Sequence, residues 1–541
     1  MTTEIRLDLK HSIDRLVISG RRVFGWGWAA HPDVAVKQVH LKVAGDGWEK
    51  RIAAGGGLAR SDVQEAFPGL VDAGASGFVI TGYITRSPAT RLALEVELAD
   101  GRVTEVDITS HAEALYSQRK KRRLIGWVMR SVWRRLKHGD IRGIVRRARA
   151  QSYGAPSVDD MSIVEQLLPA LKDCGDICIM FDHNMGGGAN QYRRGMIAER
   201  LAARRSVLLC TYNLPTLDYR LQLYRPGMEE QMFRASTFLV LDSVMDEAPV
   251  GEIFVNSPVS FDEPLVLAEW LAKVRAEHPK ARLVVTAHDY FAVCPSFVLL
   301  NADGRYCGIP EISECASCLK RHEASYVALS PPTEIGPWRA LWERCLRAAD
   351  EVRCYSTSTR EHLLRAYPGL DPARLTLIPH RIEFLPSRAP RIDHAAPLVI
   401  GVMGEISVQK GALIVQEITE RLDREKSDVR LVVLGTLDVA LKSERLRVTG
   451  RYQRSELVDL VEAHGINMFL FTSIWPETFS YVVAEMIQLG LPIVAFDLGA
   501  PAERLRGYPR GRLCPEVSAA AALDTLIAFH RQLAREKASA A

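Results

Sequence analysis

Residues 469–505, FLFTSIWPETFSYVVAEMIQLGLPIVAFDLGAPAERL, have the pattern of a strand, a loop, a helix and a second strand. Glu477 and Glu485 are separated by seven residues, so a helix that starts near Glu477 would place both carboxylates along one line. Three loop residues would present free backbone N–H groups at the helix N-terminus: Thr478, Phe479 and Ser480. Such a terminus favours an anion, so this stretch predicts a ligand with a diphosphate and hydroxyl groups, such as a nucleotide-sugar.

Around this stretch the chain alternates short apolar strands with helical segments, which is typical of parallel sheets covered by helices. One set lies within residues 161–390 and comprises DICIMFDH, RSVLLCTY, STFLVLD, EIFVNS, RLVVTAHD, EVRCYST and RLTLIPH. A second set lies within 391–541 and comprises PLVIGVMG, RLVVLG, RLRVTG, INMFLFTS and LPIVAFD. We therefore expect an α/β protein with two Rossmann-like domains that face a cleft at the carboxyl ends of their strands.

Two further motifs follow strands that border this cleft. The strand LVIGVMG is followed by Lys410 and Gly411 at the start of a helix, which places an ammonium group to meet a diphosphate. In the first domain Gly186, Gly187 and Gly188 form a strand-to-helix turn, where glycine lets the backbone approach a phosphate or a sugar closely. The turn lacks the GxGxxG spacing and the later acidic residue of a dinucleotide site.

Residues 1–110 carry short alternating runs separated by Gly and Asp turns, which predicts a small all-β sandwich. Trp26, Trp28 and Trp48 either fill the core of this sandwich or line a surface that stacks on sugars. The core interpretation is favoured, because buried aromatic rings supply most of the apolar area of a small core.

Residues 111–160 are predicted to form a basic amphipathic helical linker. Its segment 119–149 contains thirteen Lys or Arg and one acid, a net charge of +12; since the whole chain carries +4, the rest carries −8. The segment either lies on an anionic membrane surface or packs its apolar face on the next domain. Nucleic acid is not expected as a partner, since no base-reading fold surrounds the basic run.

The length and composition are those of a globular protein with several domains. The chain has 541 residues, 47% hydrophobic and 25% charged. Its start, MTTEIRLDLK, lacks the basic-then-apolar pattern of a signal peptide, and no apolar run approaches the roughly 20 residues that span a bilayer. We expect a cytoplasmic protein, peripheral on the inner face of the plasma membrane if the basic segment contacts lipid.

The segments GVMGEISVQKG, VVLG, VTGRYQRSEL and SIWPETFSYVVAEMIQLGLPIVAFDLGA together resemble the retaining glycosyltransferases of family 4, which have the GT-B fold. The resemblance covers about residues 170–520, and its pair of glutamates separated by seven residues is specific. The N-terminal segment RSDVQEAFPG, followed by SGF, is similar to an accessory β-domain fused to bacterial polysaccharide glycosyltransferases.

The family resemblance implies a role for each motif residue. Lys410, with Gly411, would grip the donor diphosphate, Glu485 would hold the ribose hydroxyls and Glu477 would contact the transferred sugar. The remaining site residues would cradle the phosphate, flank the donor sugar or border the donor and the acceptor: Thr478, Phe479, Ser480, His288, Gly186, Gly187 and Gly188. The absence of an Asp-x-Asp string agrees with enzymes of this fold, which need no metal for catalysis.

One position departs from the family pattern. Members often carry an arginine five residues before the lysine, as a second cation for the diphosphate, and this chain has Glu405 there. Either Arg381 or Arg451 compensates, or the donor phosphate is bound more weakly, which would slow a reaction that depends on charge neutralisation.

Four cysteines follow the motif VVTAHDYF, with twelve, seven and two residues between them: Cys294, Cys307, Cys315 and Cys318. Four thiols that end in a C-x2-C pair are able to bind a structural zinc ion, and ordinary buried thiols are the alternative. The position of this segment beside His288 suggests that it shapes the acceptor pocket.

The sequence and the resemblance together predict a glycosyltransferase that moves a hexosyl or deoxyhexosyl group from a nucleotide-sugar to a surface polysaccharide, such as the O-antigen of a lipopolysaccharide, or to a lipid-linked precursor. Two alternatives stay open at this point. One is a nucleotide-sugar epimerase on the same architecture, and the other is a catalytically weak glycan-binding protein, for which Glu405 would be the mark.

Overall fold

The computed structural model describes residues 9–19, 22–58, 60–84, 89–111, 113–114, 158–322, 324, 327–330, 333–382, 384–393, 395–439 and 441–540. The predicted basic linker therefore lies almost entirely outside the described residues, 119–149 included.

The N-terminal domain is a sandwich of two sheets. One has the strand order β5-β6-β2-β1-β9 and the other β4-β3-β7-β8, with antiparallel pairing except between β1 and β9. The elements are β1 (Lys10–Ser19), β2 (Arg22–Ala30), β3 (Val36–Gly45), β4 (Trp48–Ala53), β5 (Gly55–Leu58), α1 (Ser61–Ala66), β6 (Gly77–Tyr83), β7 (Arg91–Leu98), β8 (Val103–Asp107) and β9 (Glu113–Ala114).

The second domain is built on a sheet with the order β13-β12-β11-β10-β14-β15-β16-β17, parallel except for the antiparallel strands β12 and β13 at one edge. The elements are α2 (Val158–Lys172), β10 (Ile177–Asp182), α3 (Gly187–Ala202), β11 (Ser206–Asn213), β12 (Asp218–Tyr224), β13 (Gln231–Ala235), α4 (Leu241–Glu247), β14 (Val250–Ser257), α5 (Pro264–Glu277), β15 (Arg282–Thr286), α6 (Ile312–Arg321), α7 (Ile335–Ala348), β16 (Glu351–Cys354), α8 (Thr357–Ala366) and β17 (Leu375–Leu377).

The third domain has a parallel sheet with the order β20-β19-β18-β21-β22-β23. The elements are β18 (Val399–Ile406), α9 (Ala412–Arg424), β19 (Arg430–Leu437), β20 (Leu446–Val448), α10 (Leu457–Ala463), β21 (Met468–Phe471), α11 (Tyr481–Leu489), β22 (Ile493–Phe496), α12 (Gly499–Arg506), β23 (Gly511–Cys514) and α13 (Ala519–Ala540). Apolar residues on both faces of the sheet pack under these helices, as expected for strands buried on two sides.

The predicted fold class is confirmed for the part of the chain that the structure describes: two Rossmann-like domains, in the arrangement of a GT-B fold, follow an antiparallel β-sandwich. In both parallel sheets the strand order reverses beside the first strand, which creates a crevice at the carboxyl ends of β10 and β14, and of β18 and β21. Ligands bind at such switch points in open α/β sheets. The Gly-rich turn follows β10, Lys410 follows β18, and the Glu477 loop follows β21.

One predicted strand is wrong. The segment STFLVLD forms a short 3₁₀ turn, Phe238–Val240, that leads into α4. The side chain of Thr237 caps this turn by accepting a hydrogen bond from the Leu239 N–H at 3.2 Å. A short apolar run fits a buried strand and a buried helical segment equally well, so the cap decides between them.

The sandwich docks on the second domain through a buried arginine. Arg22, at the start of β2, is 1% exposed; its guanidinium donates to the hydroxyl of Tyr83 and, at 3.3 Å, to the carbonyl oxygen of Leu329. Asp262 lies 3.8 Å from Arg22. Val17 and Phe24 of the sandwich join the main apolar core of the second domain, so the contact is continuous with that core.

The three tryptophans of the sandwich lie in or against packed cores. Trp28 is buried in a small apolar cluster, Trp48 packs on the sandwich core, and Trp26 packs on the core shared with the second domain. These contacts support the interpretation that the rings fill cores.

Candidate active site

Lys410 lies at the switch point of the third domain, where Thr472 contacts the backbone of Lys410 and of Gly411. Thr472, just after β21, donates its hydroxyl to the Lys410 carbonyl oxygen at 2.6 Å. Gly411 has φ +88°, and a Cβ atom there would lie 2.1 Å from the Thr472 carbonyl oxygen, so only glycine fits. The Lys410 ammonium forms no ion pair within the described residues. It is therefore available to an anion in the crevice.

Glu477 lies in the loop between β21 and α11, four residues before the helix begins at Tyr481. Thr478, Phe479 and Ser480 form the predicted loop at the helix N-terminus, and Ser480 caps the helix by accepting from the Val483 N–H at 3.3 Å. Because Glu477 precedes the helix, it does not share a helical line with Glu485 as expected. The Glu477 side chain is 7% exposed, and its Oε1 has no hydrogen-bond partner among the described residues. Burial raises the pKa of the Glu477 carboxyl, and the nearby Lys410 opposes this shift.

The N-terminus of α11 presents unused hydrogen-bond donors. The backbone N–H groups of Thr478, Phe479 and Ser480 donate to no acceptor in the described part of the chain. The loop itself is fixed, because the Ala500 N–H donates to the Glu477 carbonyl oxygen at 2.9 Å. Fixed, unpaired donors at a helix N-terminus favour an anion, and the phosphate site expected at these residues stays a prediction.

Glu485 lies in the second turn of α11 and is 4% exposed. Arg454, which the sequence reasoning missed, places its Nε atom 2.6 Å from Glu485 Oε1. The same guanidinium donates to the side-chain oxygen of Gln191, on α3 of the second domain, at 2.9 Å. Burial raises the pKa of the Glu485 carboxyl, and Arg454 opposes this shift. Arg454 thus joins the expected ribose-binding carboxylate to the opposite wall of the cleft.

The Gly-rich turn forms that opposite wall. Gly186 and Gly187 are exposed, have φ near +80° and face open space, while a Cβ atom on Gly188 would lie 3.2 Å from the Tyr481 ring. The side chain of Asn190 supports the turn by accepting from the Gly186 N–H at 2.6 Å. The turn therefore reaches the α11 N-terminus across the cleft.

His288 follows β15 and contacts both domains. Its Nε2 lies 3.0 Å from Asn256 Oδ1, and Asn256 donates its amide to the Ala189 carbonyl oxygen, which orients that oxygen toward the imidazole. The Tyr355 hydroxyl lies 3.2 Å from the same nitrogen. Thr478 donates its hydroxyl to the His288 carbonyl oxygen at 2.7 Å. Burial, followed by His380 and His183, lowers the pKa of His288 well below its ordinary value, so the ring is neutral at neutral pH.

Further contacts hold the cleft closed beside His288. Tyr290 donates its hydroxyl to the Pro476 carbonyl oxygen at 2.9 Å, and His380 Nδ1 lies 2.8 Å from the Tyr481 hydroxyl. Burial, with a smaller effect of Arg504, lowers the pKa of His380 to about 3. Rings from both domains pack around these two histidines: Tyr192, Tyr355, Phe479 and Tyr481.

The candidates for a second diphosphate cation are not equivalent. Arg451 lies 3.0 Å from Glu405, and both side chains are largely exposed. Arg381 is exposed and forms no ion pair with any described residue. The ion pair means that Arg451 neutralises Glu405, so the pair as a whole brings no net charge to the crevice.

The four cysteines that follow His288 are free thiols. Cys315 donates weakly to the Pro310 carbonyl oxygen, and the Ala302 N–H donates to Cys318 at 3.3 Å. Burial raises the pKa of Cys294 to about 12 and also raises the pKa of Cys307 and Cys315, which favours neutral thiols. Within the described residues no group of three or more metal-binding side chains is close enough to hold an ion. The zinc site predicted from the spacing therefore finds no support in this arrangement.

In the portion of the chain that the structure covers, no helix combines the length and the apolar character needed to cross a bilayer.

Comparison with known proteins identifies the third domain. Residues 397–531 match the model of the family described as glycosyl transferases group 1. The match covers about a quarter of the chain and includes Lys410, Glu477 and Glu485. The third domain is thus similar to this group of glycosyltransferases, in agreement with the glycosyltransferase that the sequence predicts. A search of curated proteins finds no match.

Solved structures with some likeness to the chain include a lipopolysaccharide outer core galactosyltransferase, WaaB, in its apo form, with 13% identity, a TM-score of 0.40, and coverage of 67% of this chain and 91% of that one. Alr3699/HepE of Anabaena in complex with UDP-glucose has 15% identity, a TM-score of 0.37, and coverage of 67% and 99%. The catalytic domain of starch synthase IV from Arabidopsis thaliana, bound to ADP and acarbose, has 12% identity, a TM-score of 0.38, and coverage of 66% and 92%. These TM-scores and identities are too low to support a statement about function.

Proposed function

We propose that the protein is a retaining glycosyltransferase that moves a hexosyl or deoxyhexosyl group from a nucleotide-sugar to a glycan or lipid-linked acceptor. The observation that carries the proposal is the buried carboxylate oxygen of Glu477, which has no partner among the described residues and lies beside unused helix N–H groups and Lys410. A buried polar atom without a partner costs free energy, so it marks a place where a ligand completes the hydrogen bonding. The glycosyltransferase match over the same residues supports this assignment.

Each side chain has a role in the proposed reaction. Lys410 and the N–H groups at the α11 N-terminus stabilise the negative charge that develops on the departing nucleoside diphosphate. Glu485 accepts hydrogen bonds from the ribose hydroxyls, and Glu477 accepts from a hydroxyl of the transferred sugar. The His288 ring is neutral, so it does not act as a general acid.

The bond changes of the transfer balance without a metal or a redox partner. The acceptor hydroxyl attacks the anomeric carbon from the face that the diphosphate leaves, and the bond between that carbon and the phosphate oxygen breaks. The hydroxyl proton passes to the leaving phosphate oxygen. The configuration at the anomeric carbon is thereby retained, and the enzyme contributes position and charge stabilisation.

Substitution of Lys410 tests the proposal directly. Nucleotide-sugars that bind are found by thermal shift, and transfer or hydrolysis of the best donor is measured for Lys410→Ala. We expect kcat/KM to fall by about 10²–10³-fold, because one preorganised cation at a leaving group is worth this much. Arg424→Ala, which removes an exposed cation from α9 of the same domain, is the control and keeps full activity. Full turnover by Lys410→Ala would disprove the donor assignment.

The same assay separates the two alternatives. An epimerase would change the donor sugar with no acceptor present, which product analysis would show. A catalytically weak glycan-binding protein, the candidate that the exposed Glu405–Arg451 pair favours, would give no nucleotide-sugar binding by calorimetry.

Contact of residues 119–149 with an anionic membrane, and with it a location at the inner face of the plasma membrane, stays a prediction of the sequence. Its basis is the net charge of +12 of this segment, which anionic lipid headgroups would attract. A lipid-linked acceptor would lie at the same surface.

A further inference from the structure

A polar contact joins helix α12 of the third domain to helix α8 of the second domain, behind the loop that carries Glu477. The Glu503 carboxylate on α12 accepts hydrogen bonds from the backbone N–H groups of Thr357 and Ser358, at 3.2 and 3.1 Å. These two residues are the first of α8. Neither the motifs of the sequence nor the proposed transfer reaction gives Glu503 a role.

The contact completes the N-terminus of α8. The first N–H groups of a helix have no acceptor within the helix, and the helix dipole favours negative charge beside them. Within the second domain, the Ser356 hydroxyl accepts from the Thr359 N–H at 3.2 Å. The two N–H groups before Thr359 are satisfied by Glu503. The charge of Glu503 is therefore stabilised by a helix that belongs to the other domain.

Helix α12 is also in close contact with the backbone of the Glu477 loop. The Ala500 N–H donates to the Glu477 carbonyl oxygen at 2.9 Å. A Cβ atom on Gly499 would lie 2.5 Å from the carbonyl carbon of Pro476 and 2.7 Å from the Glu477 carbonyl oxygen. No side chain separates the two segments at this point, so a displacement of α12 would also displace the Glu477 loop.

The second domain contacts the residues on both sides of Glu477 as well. Tyr290 donates its hydroxyl to the Pro476 carbonyl oxygen at 2.9 Å, and Thr478 donates its hydroxyl to the His288 carbonyl oxygen at 2.7 Å. The contact between α8 and α12 adds a further support from behind the loop. The loop belongs to the third domain in sequence, but its position depends on the second domain.

The contact between α8 and α12 is polar and lies beside a cavity of about 520 Å³. Charged side chains from both helices line this cavity: Glu361, Arg365, Glu503 and Arg506. Hydrogen bonds that compete with water contribute little net free energy, so such a contact is readily broken. The apolar cores lie within the individual domains and do not depend on it. The contact is therefore able to form when the two domains approach and to break when they separate.

We propose that Glu503 is a positioning residue that couples the approach of the two domains to the placement of Glu477. With the domains together, α8 holds the Glu503 carboxylate, and α12 holds the Glu477 loop where it receives the transferred sugar. With the domains apart, the loop loses this support. The sugar contact of Glu477 rests on the proposed function, whereas the coupling between α8 and the loop is independent of it.

Hydrogen–deuterium exchange of the full chain, followed by mass spectrometry, tests the coupling without a sugar donor. Glu503→Gln removes the charge but keeps the size and nearly the helix propensity of the side chain, so α12 itself is preserved. We expect exchange to become about five- to tenfold faster in the peptide with Thr357 and Ser358, and also in the peptide with Ala500. A role confined to the cap of α8 would change the first peptide alone.

The consequence for the site is measured with the nucleotide-sugar that the thermal-shift screen identifies. The affinity of Glu503→Gln for this donor should fall by about five- to tenfold, because the Glu477 loop is no longer held in place. The affinity for the corresponding nucleoside diphosphate, which lacks the sugar, should change little. A general loss of structure would weaken the binding of both ligands.

Glu361→Gln is the matched control, because it removes the same charge from the same cavity. Glu361 is exposed on α8, and this variant should exchange and bind as the wild type does. Thermal unfolding shows that each variant is folded. Unchanged exchange at Ala500 in Glu503→Gln, or equal changes in the two variants, would overturn the proposal. Faster exchange in both peptides of Glu503→Gln, in a protein that binds no nucleotide-sugar, would support the coupling and disprove the proposed function.

Discussion

At the scale of single residues, the Glu477 carboxylate is destabilising in the free protein. Burial raises its pKa above the ordinary value of 4.5, so the folded state binds this proton more tightly than the unfolded state does. The stabilisation that comes from this tighter proton binding is fully present below pH 4.5. It is lost as the pH rises through the higher pKa that the carboxyl has in the folded state. At neutral pH the folded protein therefore carries the cost of a buried charge that Lys410, followed by Ser473 and Ser480, only partly offsets.

The variant Glu477→Gln should consequently be more stable than the wild type and inactive. We expect the free energy of unfolding at pH 7 to increase by roughly 1–2 kcal/mol, since a neutral amide replaces a desolvated charge at a functional site. The gain should shrink toward zero near pH 4, and denaturant unfolding across this range measures it. A variant that is less stable at pH 7, or active, would contradict the assignment of Glu477 as a ligand-facing carboxylate.

Arg454 gives a second prediction at this scale, because it holds Glu485 in its ionised form. In Arg454→Met the Glu485 carboxyl stays buried without its cation, so its pKa rises further and a higher pH is needed to ionise it. We expect a donor KM that is raised at acidic pH and recovers as the pH increases, with a smaller change in kcat. Kinetics as a function of pH provide the measurement.

Gln191→Ala is the control for Arg454→Met. It removes the bridge from Arg454 to α3 but leaves the pair between Arg454 and Glu485 in place. The pH profile of its KM should therefore match that of the wild type. The same shift in both variants would mean that Arg454 acts through the cleft wall and not through the carboxylate.

At the scale of helices and strands, the turn that presents Lys410 depends on glycine. Gly411→Ala adds a Cβ atom 2.1 Å from the Thr472 carbonyl oxygen at a φ of +88°, so the backbone of both segments must move. We expect a loss of at least about 3 kcal/mol in the free energy of unfolding, and a donor KM that rises because Lys410 is displaced.

Gly490→Ala provides the matched comparison. Gly490 ends α11 with φ +76°, but a Cβ atom there meets no other atom within 4 Å. In this variant only the left-handed backbone of residue 490 is strained. The free energy of unfolding should therefore decrease by about 1 kcal/mol, with unchanged activity. Equal losses in the two variants would show that the contact with Thr472 does not position Lys410.

The helices and strands also show how much of the fold could be predicted from the sequence and why the rest could not be predicted. Apolar runs bounded by turns located the parallel strands of both domains, and the loops after β18 and β21 were found because their residue types match an anion site. The hairpin strands β12 and β13 were missed, since DYRLQLY and QMFRA alternate with charged residues and lie at a sheet edge. Arg454 was missed because its partners, Glu485 and Gln191, are distant in sequence.

At the scale of the whole molecule, the three domains are joined by polar contacts that pattern analysis does not reveal. The third domain meets the second through the Thr478 contact with His288, the Tyr290 contact with Pro476 and the Arg454 bridge. The sandwich meets the second domain through Arg22, whose partner Leu329 lies 307 residues away in sequence. Such contacts depend on tertiary placement, so a single sequence gives no signal for them.

The contact between the sandwich and the second domain should be sensitive to pH. Glu263, which precedes α5 and follows Asp262, has its pKa raised to about 7 by burial and by the neighbouring Asp262. Burial also raises the pKa of Asp262, which Arg22 opposes. A raised folded-state pKa means that the folded protein is stabilised by protonation, so this stability is present below pH 4.5 and is lost as the pH rises through 7.

We therefore expect Glu263 to lower the free energy of unfolding as the pH rises, most steeply between pH 4.5 and about pH 7, so that the wild type loses stability relative to Glu263→Gln over this range. Glu269→Gln, which removes one carboxylate from the same helix, is the control and should retain the wild-type slope. Urea unfolding followed by the fluorescence of the sandwich tryptophans reports on this contact, since Trp26 packs on the shared core. An unchanged slope in Glu263→Gln would show that the pH dependence arises elsewhere, because linkage ties the slope to the groups whose pKa changes on folding.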